Sequence, residues 1–273
     1  MHIPVMLQEM LEALHPEDGK TYVDGTFGGG GYTKAILDAA NCHVVALDRD
    51  PEAIPRAVDF KERFTFIHDS LKNLHTHLKE PIEALVLDLG VSSFQLDNGE
   101  RGFSFRFEGP LDMRMSCEGL TVKEVINTYS EKKLIEIIEG YGEESRAKTI
   151  AKAIVNFRYK APLKTTKELA DLVASVVPKR NAIHPATKTF QAFRIYVNDE
   201  LQELYTCLQN ATYAKRLVIV TFQGLEVRVI KKWYRAQNLF KEGIRLKPSR
   251  AEIRKNPRSR SAELRVFHLK NCN

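Results

Sequence analysis

Cysteine is scarce in this sequence, and the four present, Cys42, Cys117, Cys207 and Cys272, are scattered, with no C-x-x-C pair and no metal-ligand spacing. That excludes a disulfide framework or a zinc ribbon and leaves reduced thiols and no metal as the expectation. No apolar run approaches the ~20 residues that a bilayer-spanning helix needs. The start MHIPVMLQEM offers neither the basic n-region nor the long apolar stretch of a signal peptide. The expectation is a soluble cytoplasmic protein with no membrane partner. Its oligomeric state stays open, a homodimer included.

The chain has 273 residues, 43% of them apolar and 28% charged, ordinary values for one large domain or two modest ones. The net charge of +6 is unevenly placed. Between Lys241 and Lys270 there are ten Lys/Arg and three Glu, so the remainder is close to neutral. A solvated surface run would explain this, and so would a contact with a phosphate backbone.

The most telling stretch is DGTFGGGGYT, Asp24 to Thr33, with four consecutive glycines at Gly28–Gly31. Glycine reaches positive φ freely and lets another molecule approach the backbone, at the largest ordering entropy of any residue. The preceding TYVDGTF reads as a strand ending near Asp24, and the following Tyr32–Leu37 segment reads as a helix. A strand, a glycine turn and a helix start expose backbone N–H groups to a ligand. The dinucleotide fingerprint G-x-G-x-x-G fails, because Thr33 and Lys34 stand where its third glycine belongs, and the Gly-Lys-Ser/Thr of a P-loop is missing. A nicotinamide dehydrogenase is therefore disfavoured. Downstream, CHVVALDRD reads as a second strand with Asp48 at its carboxyl end, suited to accept both ribose hydroxyls. A glycine turn and a ribose-binding acid without a phosphate fingerprint suggest an adenosine ligand lacking pyrophosphate, and S-adenosylmethionine (SAM) is the common one.

FTFIHD ends a third strand near His68 and IEALVLDLG a fourth at Asp88, which gives alternating strands and helices and a parallel sheet. Asp69, just past the third strand, is a candidate acceptor for an adenine amine. The next strand, KRLVIVTF, starts only at about Lys215. The intervening VKEVINTYSEKKLIEIIEGYG, EESRAKTIAKAIVNFRY and TKELADLVASVV carry helical apolar spacing. The expected domains are residues 1–102, 103–208 and 209–273. The first and last form a Rossmann-like class I methyltransferase core that ends in a basic hairpin, GIRLKP and AELRVFHLK. The middle one is an inserted all-helical domain for substrate recognition. Ligands of such sheets bind beyond the carboxyl strand ends, where Asp24, the glycines, Asp48 and Asp88 fall.

Asp88 occupies the usual place of the group that meets the substrate. An exocyclic amine is a poor nucleophile, and an acceptor on its N–H restores lone-pair density; Asp88 could supply it, or could hold the ammonium of SAM. ERGFSFRFEGPLDMRM, with three phenylalanines and three arginines, suits base stacking and phosphate contacts, or else a packed hinge. In HPATKTFQAFRIYVNDEL, Phe190, Phe193, Val197 and Leu201 form a core stripe. Lys188, Gln191, Arg194 and Asn198 share the adjacent arc, a solvated face or a nucleic-acid-reading one.

Taken in order, HIPVML at His2, DGTFGGGGYT, ALDRDP at Ala46, LDLGVSSFQLD at Leu87, ERGFSFRFEGPLDMRM, HPATKTFQAFRIYVNDEL and NPRSRSAELR at Asn256 resemble the RsmH/MraW family over essentially the whole chain. These are SAM-dependent methyltransferases acting on the N4 amine of a cytidine in small-subunit (16S) ribosomal RNA. The resemblance implies SAM contacts at Gly30, Gly31, Tyr32, Asp48, Leu71, Asp88 and Gln95, and ribosomal RNA or the small subunit as partner. The chain departs from the family where SFHSLEDR is usual and TFQGLEVR stands, with Gln223, Gly224 and Val227 substituted. The segment between Trp233 and Asn256 is also shorter. The rival reading is a non-enzymatic RNA-binding assembly factor with a relic SAM pocket.

Overall fold

A computed structural model describes residues 4–179 and 183–270. His2 and Ile3 of the first motif, and Cys272, lie outside the described residues. Among the described residues there are seven strands: β1 (Thr21–Asp24), β2 (His43–Asp48), β3 (Phe64–His68), β4 (Ile82–Asp88), β5 (Ala214–Thr221), β6 (Phe240–Leu246) and β7 (Glu263–Leu269). The helices before β4 are α1 (Leu7–Leu14), α2 (Gly31–Ala39), α3 (Ile54–Ala57) and α4 (Leu74–His77). Between β4 and β5 run α5 (Ser93–Asp97), α6 (Val122–Thr128), α7 (Glu131–Gly142), α8 (Ala147–Arg158), α9 (Thr166–Val176), α10 (Thr187–Asn198) and α11 (Glu200–Gln209). Helix α12 (Gly224–Ala236) follows β5, and α13 (Arg250–Lys255) lies between β6 and β7.

The strands form one sheet in the order β3-β2-β1-β4-β5-β7-β6. β1 to β5 are mutually parallel and β7 enters antiparallel between β5 and β6. Reversal of strand order beside β1, with an antiparallel β7 next to β5, is the class I methyltransferase sheet. The parallel strands are continuous apolar runs because both their faces are covered. One face, with Tyr22, Val44, Ala84, Val86, Val218 and Val220, packs against α1 and α2. The other, with Val23, Leu85, Leu87, Leu217 and Ile219, packs against α11 and α12 through Leu204, Leu208, Ile230 and Trp233. Helix α1 is not announced by the strand-and-glycine pattern; Met10 and Leu14 bury it against the sheet.

The chain divides into two compact units, Met1–Gly90 with Leu201–Asn273, and Val91–Glu200. The all-helical unit therefore starts at Val91 rather than 103 and ends at Glu200 rather than 208. The physical reason at the far end is α11: Leu204, Cys207 and Leu208 join the core of the sheet unit, and Glu203 pairs with Arg49 just past β2. The helical unit has its own core, including Val125, Leu134, Ile138, Ile150, Ile154, Leu169 and Phe193. Its helices start where the sequence offers caps: Thr121 with Glu124 and Thr165 with Glu168 form capping boxes at α6 and α9.

Candidate active site

The parallel register brings Asp24, Asp48 and Asp88 to the carboxyl edge of three neighbouring strands, since Asp24 faces Ala46 on β2 and Val86 on β4. At this edge the chain turns from β1 into α2 through the glycines. Gly28 and Gly30 have φ of 52° and 73°, which side chains rarely adopt. A Cβ on Gly30 would lie 2.8 Å from the Phe60 ring, and one on Gly31 2.4 Å from Pro4 Cγ. The glycines are thus demanded from behind, by packing, as well as by the turn. Gly30 caps α2 without a side-chain hydrogen bond; the Thr33 N–H is taken by Asp24, which leaves the N–H groups of Gly31 and Tyr32 to whatever lies before the helix. The Gly28 N–H donates to Asp48 Oδ2 at 2.7 Å and ties the turn to β2.

The Tyr32 side chain is already engaged. Its ring is buried and its hydroxyl donates to the Val5 carbonyl. Asp48 Oδ1 also accepts from the Asp50 N–H at 2.9 Å. Burial raises the Asp48 pKa, against the lowering effect of these two N–H bonds; each oxygen keeps a second lone pair for a hydroxyl. Leu71 is buried at the start of a short 3₁₀ turn after β3, with Cδ1 3.1 Å from where a Gly25 Cβ would stand. Asp69, the candidate for an adenine amine, is already engaged with the Ser70 N–H, Asn73 Nδ2 and His77 Nε2. Those bonds outweigh burial and hold its carboxyl below the usual range.

Asp88 differs from the other acids of the edge. Its backbone N–H donates to Thr26 Oγ1 at 2.7 Å, but its Oδ1, shielded from water, has no hydrogen-bond partner among the described residues. Burial, then the charges of Asp24 and Glu226, push its pKa up to about 8. Asp24 is fully buried and accepts from Thr33 Oγ1 (2.8 Å) and the Thr26 N–H (3.2 Å). Burial takes its pKa to about 6 despite those bonds. Glu226, buried in α12, accepts from the Phe222 and Gln223 N–H groups and from Gln223 Nε2. The roles of Asp24 and Glu226 were missed in the sequence; the Q-x-x-E spacing of a capping box was the available signal for Glu226. A buried acceptor with no donor among the described residues, on an acidic edge at the start of α2, fits a ligand bringing an amine N–H.

The remaining candidates belong to the helical unit. Gln95 is third in α5, and its Oε1 accepts from the Ser92 N–H within a capping box. The expected reading face on α10 is corrected by its hydrogen bonds. Asn198 is buried, takes the Met115 N–H at 2.7 Å on Oδ1 and donates from Nδ2 to the Met113 carbonyl. Arg194 makes a two-pronged bond to Glu200 at 2.8 and 3.0 Å. Lys188 stays exposed and donates to the Glu143 carbonyl past the end of α7. Asn198 pins the loop through Met113 and Met115, and Arg194 is tied to Glu200 at the start of α11. The aromatic-basic stretch is likewise mostly internal: Arg101 is buried on the Arg114 and Met115 carbonyls, Phe103 is buried, and Phe105 packs on His184 and Phe190. Arg106 and Phe107 remain exposed.

The sheet order and the strand-end acids define a class I methyltransferase of Rossmann-like fold. The profile of the MraW methylase family matches residues 1–270, and the chain belongs to that family, one of SAM-dependent methyltransferases. A ribosomal RNA small subunit methyltransferase H of Rickettsia massiliae (strain Mtu5) is 48% identical over 266 residues, 94% of this chain and 86% of its own. One of the same description from Parvibaculum lavamentivorans is 46% identical over 299 residues, covering 97% and 88%. Among solved structures, the N-methyltransferase NodS from Bradyrhizobium japonicum WM9 overlays with a TM-score of 0.46 at 8% identity, covering 97% of this chain and 94% of its own.

Proposed function

We propose that this protein transfers a methyl group from SAM to the N4 amine of a cytidine in small-subunit ribosomal RNA. The relatives bearing the small-subunit ribosomal RNA methyltransferase description, matched along nearly the whole chain, support the RNA class. The observation that carries the amine is Asp88: a shielded, partnerless carboxylate oxygen whose pKa lies near 8. SAM supplies a methyl group already activated on a sulfonium. The Gly31 and Tyr32 N–H groups at the start of α2 and the Asp48 carboxylate would hold and orient the adenosine end. Asp88 Oδ1 would accept an N–H of the target amine and take its proton as the methyl group's bond to sulfur breaks and its bond to N4 forms. A carboxyl group tuned close to neutral pH is matched to that task. Arg106 and Phe107 in the helical unit, and the basic segment after β6, are assigned to RNA recognition.

The test is incubation with labelled SAM and small ribosomal subunits that lack the modification, followed by mapping of the labelled nucleotide. Label on the N4 of one cytidine is expected. Label on a ring carbon or a ribose would refute the amine assignment. SAM binding without any transfer would favour the assembly-factor reading, which the altered TFQGLEVR segment motivates.

A further inference from the structure

Helix α12 carries a charge pattern that methyl transfer leaves unused. Its inner face buries Leu225, Ile230 and Trp233. Its outer face presents Arg228, Lys231, Lys232 and Arg235, all exposed and spaced at i, i+3, i+4 and i+7. Together with Ala236 they line an open surface cavity of about 590 Å³. The one acid of α12, Glu226, is buried and bonded to the helix start.

Three other helices pair a lysine with an acid on the same face, whereas α8 leaves its Lys148 and Lys152 without a carboxylate partner among the described residues. Lys34 pairs with Asp38 in α2, Lys133 with Glu136 in α7, and Lys167 with Asp171 in α9. On α12, Lys231, Lys232 and Arg235 have no carboxylate partner among the described residues. The Lys232 ammonium instead stands 5.0 Å from the centre of the Tyr205 ring. Like charges one turn apart oppose a helix, and the helix dipole offsets this only in the last turn, at Arg235. No large apolar side chain of α12 is exposed, so the face lacks the apolar anchor of a protein interface. It suits a polyanion.

We infer that the outer face of α12 is a docking strip for the phosphate backbone of the RNA substrate. It is separate from the basic C-terminal segment. Helix α12 covers one face of the sheet, whereas Glu252 of α13 accepts from the Met6 N–H at the start of α1, on the other face. Helix α12 also leaves the carboxyl edge of β5, next to Asp88 on β4, so its cations run away from the reaction edge for roughly 10 Å. RNA flanking the target nucleotide would lie along them.

The inference rests on the RNA reading above, and the experiment separates the two. The triple variant Lys231→Gln/Lys232→Gln/Arg235→Gln is compared with the wild type for binding a labelled small-subunit ribosomal RNA fragment across about 50–200 mM salt. SAM affinity and melting temperature are followed in parallel. The expected result is at least tenfold weaker binding at low salt and a log K against log[salt] slope shallower by about 2–3, with SAM affinity retained. An unchanged slope and affinity would overturn the strip. So would a loss confined to assembled subunits, with naked RNA bound normally, since that identifies an acidic protein as the partner. If the wild type methylates no subunit yet the variant loses its salt slope, the strip stands and the proposed reaction falls.

Discussion

At the scale of single residues, Asp88 is set apart by what it lacks. A carboxyl with a pKa near 8 is largely protonated at pH 7 in the ligand-free protein, and the positive charge of SAM bound at the same strand edge favours its ionised form. SAM binding at pH 7 is therefore expected to release a proton. Titration calorimetry in two buffers of different ionisation enthalpy measures this directly. Asp88→Asn should abolish the difference between buffers, and persistence of proton release in that variant would mean another group titrates. Asp48 gives a simpler expectation. Asp48→Ala removes two charge-assisted acceptors and frees the Gly28 N–H, so SAM affinity should fall by about 1.5–3 kcal/mol. Undiminished affinity would show that the ribose lies elsewhere.

Elements come next, and here the glycine turn and α10 make opposite points. Gly30→Ala would force a left-handed alanine, costing about 1–2 kcal/mol, and place a Cβ against Phe60 and Phe27. Gly19 has a similar φ of 72° and open space around it. Gly19→Ala should therefore show the conformational part alone, and denaturant unfolding should find Gly30→Ala clearly the worse of the two. On α10, Asn198→Ala strands the Met115 N–H and the Met113 carbonyl. It should destabilise the helical unit by about 2–3 kcal/mol; a variant of normal stability that bound RNA poorly would restore the reading-face interpretation. The glycine turn was legible in the sequence because a bare run between a strand and a helix has few explanations. Asn198 was not, because helical spacing tells which residues share an arc but not whether water, RNA or a neighbouring loop meets them. Phe103 and Arg101 left two readings open for the same reason: their chemistry suits a nucleotide, and an enclosed loop equally well.

For the whole molecule, sequence order carried the architecture. Buried parallel strands read as apolar runs ending in acids, so the sheet and the strand edge that gathers Asp24, Asp48 and Asp88 could be placed before any coordinates. The boundary between units could not, because the apolar stripe of α11 would serve either core, and only tertiary contacts such as Arg49 with Glu203 decide. Tertiary proximity also brings Asp24, Asp88 and Glu226 together, with a consequence for pH. Asp24 and Asp88 have folded-state pKa values near 6 and 8, above the usual carboxylate value of about 3.9. Folding therefore favours their protonated forms, and the stability they contribute is lost as pH rises towards 8. Asp69 and Asp112 are held below the usual value, so their contribution is present at neutral pH and lost on acidification. Scanning calorimetry of the ligand-free protein should show a melting temperature that falls between pH 6 and pH 8.5, with the fall flattened by Asp88→Asn. A melting temperature rising over that window would contradict the burial of these acids.

Pro4 and Gly31 press so closely that the ring of one fills the volume a methyl group on the other would need. The two positions are consequently free to diverge only as a pair: a bulkier residue at 31 demands a slighter one at 4, and a lineage altering either alone inherits a displaced helix start.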